Sequence, residues 1–131
     1  MILADTSVWL DHFRNPNSPF STALDSGLIA THPFVIGELA CGNLSGRAGV
    51  LRDLANLPVV DRASDREVMT LIETHSLMGR GVGLIDMHLL ASSLITPDTK
   101  LWTHDKRLNH IADELGVSYE GNTVRRRTDS E

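Results

Sequence analysis

The sequence predicts an α/β fold, a three-layer sandwich with a central, mainly parallel sheet. Two observations lead to this class: short apolar runs alternate with segments of helical periodicity, and each strand is separated from the next by helical sequence. Strands joined in this way pair in parallel through right-handed crossovers. With 131 residues, 41% of them hydrophobic, we expect a single domain over 1–131, with a polar, frayed tail over about 121–131.

Five short apolar segments are the strand candidates. They follow glycine or proline or lie between helical patterns, as strands of a parallel sheet do. In chain order the predicted strands are 2–4, 28–30, 58–60, 100–103 and 117–119.

Five helices are predicted from capping residues and apolar spacing. Pro33 suits a first helical turn, and Ser64 with Glu67 forms a capping-box pattern. Gly116 is a typical C-terminal stop. The predicted helices are 33–44, 46–57, one that begins at Ser64, one that begins at Asp86 and 105–115, and the segment 79–83 is a loop. The predicted core includes Trp9, Phe13, Leu39, Leu71, Leu90 and Trp102.

Composition narrows the class of protein. The single cysteine, Cys41, excludes an intrachain disulfide and fits a reducing compartment, and we expect it to be buried on its helix. No apolar run has the length of a membrane helix, and the first residues lack a basic leader, so we expect a cytoplasmic protein with no membrane contact. A net charge of −5 argues against a general nucleic-acid binder, unless acids are gathered at a metal site. Arg125–Arg127 favours a solvated terminus, and contact with RNA or a partner is the alternative.

Four carboxylates interrupt or end apolar segments. Asp5 and Asp105 each follow a predicted strand, so both belong at the carboxyl edge of the sheet. Glu38 is the sole charge in PFVIGELAC, and Asp86 is the only acid in VGLIDMHLLASSLI. Each has an ordinary alternative: a turn for Asp5, an arginine partner for Glu38, and a helix N-cap for the other two.

A shared metal ion would explain all four acids together. Carboxylates that converge raise one another's pKa, and a divalent cation removes the conflict. Oxygen ligands select hard ions such as Mg²⁺ or Mn²⁺. The six histidines have no zinc-type spacing, and we expect all of them to be exposed or half-buried. A hard ion that lowers the pKa of water and neutralises a phosphoryl group indicates phosphodiester hydrolysis.

Four blocks of this sequence resemble a known family. DTSVWLDHF, THPFVIGELACG, GRGVGLIDMHLLASSL and LWTHDKRL are similar, in this order, to the PIN-domain ribonucleases, above all the VapC-type toxins of bacterial toxin–antitoxin pairs. The resemblance extends from the first strand to about Gly116 and implies a PIN-like fold. It implies that Asp5, Glu38, Asp86 and Asp105 hold Mg²⁺ or Mn²⁺ and cleave RNA, often tRNA or rRNA.

The same resemblance implies supporting residues and partners. Thr6 and Thr103 match hydroxyl positions that orient a carboxylate or a water at the metal. A homodimer and inhibition by a VapB-type antitoxin are also implied. Arg80, Lys106 and Arg107 flank the predicted site and either contact the RNA backbone or are ordinary solvated charges.

Three other functions are weighed against this one. A phosphoacceptor receiver domain would use Asp61, but it needs two acids after the first strand, where this chain has Asp5 and then Thr6. A phosphatase of the haloacid dehalogenase type needs a second aspartate at position 7, which is Ser7. A metal-binding module without catalysis is the third.

Overall fold

A three-stranded parallel sheet forms the centre of the molecule, for which a computed structural model describes residues 1–16 and 18–119. The strands are β1 (Ile2–Ala4), β2 (Ile29–Ala30) and β3 (Lys100–Trp102), in the order β2-β1-β3. Leu3 of the central strand lies opposite Ala30 and Leu101. The α/β class with a parallel sheet is therefore confirmed, whereas the predicted tail, with Arg125–Arg127, lies outside the described residues.

The helices pack around this sheet. Within the described residues they are α1 (Thr6–Arg14), α2 (Ser18–Asp25), α3 (Pro33–Cys41), α4 (Arg47–Ala55), α5 (Asp65–Thr74), α6 (Leu84–Ile95) and α7 (Lys106–Glu114). The predicted capping box at Ser64 is present, and Gly116 adopts the left-handed conformation of a helix stop, with φ 76°. The helix predicted to end at residue 44 ends earlier because the chain is extended at Gly42. No element was predicted for residues 6–25, where α1 and α2 lie.

Two predicted strands are wrong as strands. Residues 58–60 and 117–119 each make one isolated parallel bridge, Thr31 with Val59 and Leu101 with Ser118. The first segment makes two backbone hydrogen bonds to Thr31 and then leaves the sheet, and Val59 is 57% exposed. These segments border the two edges of the sheet without extending it by a full strand.

α6 is the most deeply buried helix relative to its length. Every residue from Met87 to Ser93 is buried, so the helix passes through the core and not along the surface. It packs on β3 and on α5. The start of α6, where Asp86 lies, is therefore fixed relative to the sheet. Within the described residues, no helix combines the length and the apolar character needed to cross a membrane.

Several burial predictions are corrected. Phe13 is 38% exposed and Cys41 is exposed, whereas His32 and His88 are buried. His32 is tolerated in the core because its Nδ1 accepts a hydrogen bond from the Phe34 amide and so caps α3. His88 packs edge-on against the Phe34 ring. The apolar bodies of both imidazoles thus take part in the core.

Candidate active site

Asp5 lies at the carboxyl end of β1 and begins α1. Its backbone N–H donates to the Trp102 carbonyl of the neighbouring strand over 3.0 Å, and its side chain is the α1 N-cap. Oδ1 accepts from the Val8 amide at 3.1 Å and from the Ser7 hydroxyl at 2.5 Å. Oδ2 accepts from the Thr103 hydroxyl. The central strand therefore delivers a carboxylate whose two oxygens are both held.

The surroundings of Asp5 act on its pKa in opposite directions. Burial raises the pKa of Asp5 above its ordinary value, because an ionised carboxylate loses its water. The hydrogen bonds from Ser7, Thr103 and Val8, and the nearby His104, lower that pKa. These donors favour the ionised form that an ion-binding carboxylate needs.

Asp105 is the N-cap of α7, which confirms the ordinary alternative that the sequence offered for it. Its Oδ1 accepts from the amides of Arg107 and Leu108 at 2.9 and 3.0 Å. Its own amide donates to the Thr103 hydroxyl at 3.0 Å, the same hydroxyl that donates to Asp5. Thr103 therefore links the two acids at the carboxyl edge of the sheet.

Glu38 is brought to the site by α3. It is exposed, and its Oε1 accepts from the Thr6 hydroxyl at 2.7 Å. Within the part of the chain that the structure describes, no arginine lies within ion-pair distance of Glu38. Thr6 joins the first turn of α1 to α3, and a hydroxyl takes the place of the expected cation.

Asp86 lies in the first turn of α6 and is half-buried, and Gly83 is the N-cap of that helix. Burial, followed by the negative charges of Asp5, Asp105 and Glu38, raises the pKa of Asp86 to about 6. Three carboxylates raise the pKa of a fourth in this way only when all of them lie close to it. The charges that raise the pKa of Asp86 are thus all negative.

The arrangement of these acids is open. Among residues 1–16 and 18–119, no three His, Cys, Asp or Glu side chains close around one point as a ready-made metal cluster. Mg²⁺ commonly keeps several waters and takes one or two carboxylates together with substrate phosphates, without an all-protein cage. Oxygen-only donors that repel one another therefore fit a hard divalent ion, and the other ligand positions would be left to water and substrate.

The three basic residues predicted near the site differ in their surroundings. Arg80 forms a two-pronged ion pair with Glu114, at 2.8 and 3.0 Å, at the opposite end of α7 from Asp105. Lys106 and Arg107 are exposed in the first turn of α7, beside Asp105 in the chain. The structure thus favours the structural reading for Arg80 and leaves the other two at the rim of the site.

Ser7 is the site residue that the sequence analysis missed. Besides its bond to Asp5, its oxygen accepts from the His104 amide at 3.0 Å. Its position two residues after Asp5 was the only available signal, since the contact to His104 joins residues 97 apart.

These observations define a class of protein. The PIN domain family matches residues 2–114, and the chain belongs to that family. Within it the chain is of the VapC type: it is 41% identical over 118 residues to Ribonuclease VapC32 of Mycobacterium tuberculosis, in both strain CDC 1551 / Oshkosh and strain ATCC 25618 / H37Rv. The match covers 90% of this chain and 95% of each relative, and it confirms the resemblance found in the four sequence blocks.

Proposed function

We propose that this chain is a Mg²⁺- or Mn²⁺-dependent endoribonuclease, the toxin of a toxin–antitoxin pair, which hydrolyses phosphodiester bonds in tRNA or rRNA. The observation that carries the proposal is the group of four carboxylates near the sheet edge, whose mutual repulsion raises the pKa of Asp86. The relatives named ribonuclease support RNA as the substrate.

The four acids would share the ion unequally. Asp5 and Asp105 are the direct ligands in this proposal, and Glu38 and Asp86 bind through water or position a second ion. When bound, Mg²⁺ would lower the pKa of the attacking water and offset the negative charge that develops on the phosphoryl group.

The protein's own hydrogen bonds prepare the site before an ion arrives. Asp5 is held by two hydroxyls and an amide, Asp105 by two amides of α7, and Glu38 by Thr6. Fixed carboxylates lose little further freedom on binding, which favours affinity and orientation. Asp86, held by no described donor, is the carboxylate whose protonation would change most when positive charge enters the site.

RNA contacts are assigned to the rim of the site. Lys106 and Arg107 would neutralise phosphates beside the cut, which sets position without reading sequence. Arg80 would contribute less because its guanidinium is engaged by Glu114. The proposal includes a homodimer, a VapB-type antitoxin that inhibits it, and a cytoplasmic location.

The test is cleavage of purified tRNA and rRNA in Mg²⁺ by wild type, Asp5→Asn and Asp86→Asn. Glu73→Gln is the matched control. Glu73 is an exposed acid on α5, and its charge does not raise the pKa of Asp86. We expect both site variants to lose activity and the control to retain it. Full Mg²⁺-dependent activity in both site variants would refute the site.

The same assay separates the alternatives. Tight metal binding with no cleavage of any RNA would favour a non-catalytic module. A receiver is not supported, because Asp61 is exposed and does not contribute to the charge around Asp86. Labelling of Asp61 by acetyl phosphate would reverse that judgement.

A further inference from the structure

Two hydroxyls from distant parts of the chain hold the two oxygens of Asp5. Ser7, in the first turn of α1, donates to Oδ1, and Thr103, just after β3, donates to Oδ2. Thr103 is buried, and Ser7 is half-buried. Each oxygen of the Asp5 carboxylate therefore accepts a hydrogen bond from a different hydroxyl.

Each hydroxyl is itself oriented by a backbone amide. The His104 amide donates to Ser7 Oγ and the Asp105 amide donates to Thr103 Oγ1, both over 3.0 Å. A hydroxyl has one proton to donate, and a lone pair that accepts an amide hydrogen helps to direct that proton elsewhere. Two consecutive backbone amides thus each donate to a hydroxyl, and each hydroxyl donates to one oxygen of Asp5. We call this arrangement the double relay.

This double relay ties Asp5 to the segment that carries Asp105. A shift of residues 104–105 would move both hydroxyl contacts, so the two acids at the sheet edge behave as one unit. We infer that Ser7 is a positioning residue of the metal site, which fixes the Asp5 carboxylate relative to Asp105 so that both acids can bind a shared divalent ion. The inference rests on the proposed function and deepens it.

The test measures Mn²⁺ affinity by isothermal titration calorimetry, apart from any activity. Ser7→Ala removes the hydroxyl, Ser7→Thr restores one, and Ser118→Ala is the matched control because it removes a half-buried serine hydroxyl bonded to Asn109 on a different segment. We expect about 10-fold weaker Mn²⁺ binding in Ser7→Ala, at the low end of the loss typical for residues that support a metal ligand. Ser7→Thr and Ser118→Ala should remain within about 3-fold of wild type, below that range.

A kinetic measurement accompanies the titration. At Mn²⁺ concentrations that saturate both wild type and Ser7→Ala, we expect kcat for RNA cleavage to fall in the variant while KM for RNA stays unchanged, because Ser7 acts through Asp5 and the bound ion still offsets the charge of the site. Wild-type Mn²⁺ affinity in Ser7→Ala would overturn this inference alone, as would an equal loss in Ser118→Ala. A wild-type protein that binds no Mn²⁺ would overturn the proposed function and this inference together.

Discussion

Asp5 and Asp105 are helix caps and also proposed metal ligands, two roles that are usually weighed as alternatives. Both cap a helix with one carboxylate oxygen, and both lie at the carboxyl edge of the sheet within the field of Asp86. A cap fixes the carboxylate at a helix start, and a fixed carboxylate is what an ion site requires. The local role therefore supports the chemical one.

Asparagine separates the two roles at Asp105. Asparagine caps helices about as well as aspartate, so Asp105→Asn should unfold in urea with a free energy within about 0.5 kcal/mol of wild type, whereas Asp105→Ala should lose about 1 kcal/mol. Both variants should lose RNA cleavage by at least about 100-fold, the upper end of the loss caused by removing a residue that only supports a metal ligand. Retained activity in Asp105→Asn would mean that capping is its whole purpose.

The ionised side chain of Asp86 should destabilise the folded protein when no metal ion is bound. Its pKa is raised from 3.8 to about 6 in the folded protein. The free energy of unfolding therefore falls as pH rises from 3.8 to about 6, because the folded protein holds this proton more tightly than the unfolded chain does. In EDTA, Asp86→Asn should be more stable than wild type at pH 7 by about 1–2 kcal/mol, a figure reduced because the side chain is half-exposed. Urea unfolding at pH 4 and 7 measures this: the difference should nearly vanish at pH 4. Equal stability at pH 7 would contradict the raised pKa.

The sequence and its family resemblance indicated the four acids and the hydroxyls of Thr6 and Thr103, and the structure brings these hydroxyls to Glu38 and Asp5. The contacts of Ser7 and the burial of two histidines were not predicted. Asp5 and Asp105 follow apolar runs, and the strand ends can be recognised locally. The Ser7 contact depends on an amide 97 residues away, and the packing of buried His88 on Phe34 depends on how α6 and α3 meet. Contacts of this range leave no periodic signal in one sequence.

At the scale of elements, apolar pattern predicted helices better than strands. A helix repeats its signal over several turns, whereas the strands here have two or three residues. Residues 58–60 carry the apolar signal of a strand, yet pairing stops after one bridge. α1 and α2 were missed for a different reason. Apolar residues resume at Val8 after Asp5, but this pattern does not by itself identify Asp5 as the cap of a helix.

The loop before α6 is braced by α7, which glycine substitution can test. Gly81 has φ +79°, and a β-carbon there would lie 2.5 Å from Arg107 Nη1. Gly81→Ala should therefore cost roughly 1–2 kcal/mol of stability from backbone strain alone. It should also raise KM for RNA, because Arg107 must move.

Gly37 provides the control of opposite sign. It lies inside α3, and a β-carbon there would meet nothing within 4 Å. Gly37→Ala should stabilise the protein by about 0.5–1 kcal/mol, since alanine loses less entropy in a helix. Thermal unfolding of both variants measures the pair, and destabilisation of equal size in both would contradict the backbone strain assigned to position 81.

For the whole molecule, the main electrostatic problem is a net charge of −5 facing a polyanionic substrate. Part of this negative charge lies near one sheet edge, where Asp5, Asp105 and Glu38 are close enough to Asp86 to raise its pKa. RNA binding there would be opposed unless positive charge entered the site. The proposed ion therefore serves substrate binding as well as chemistry, and it should also stabilise the fold.

Metal-linked stability gives a test that needs no RNA. An ion that binds only the folded protein adds about 2.7 kcal/mol at 100 times its Kd, which should raise the Tm of a domain of this size by roughly 10 °C. We expect this rise on adding Mg²⁺ to wild type and to Glu73→Gln, and a much smaller one in Asp5→Asn, because the loss of one ligand weakens binding. NaCl at matched ionic strength controls for screening. A Tm rise of equal size in Asp5→Asn would place the stabilising ion elsewhere, since the substituted amide would offer it one neutral oxygen in place of a carboxylate.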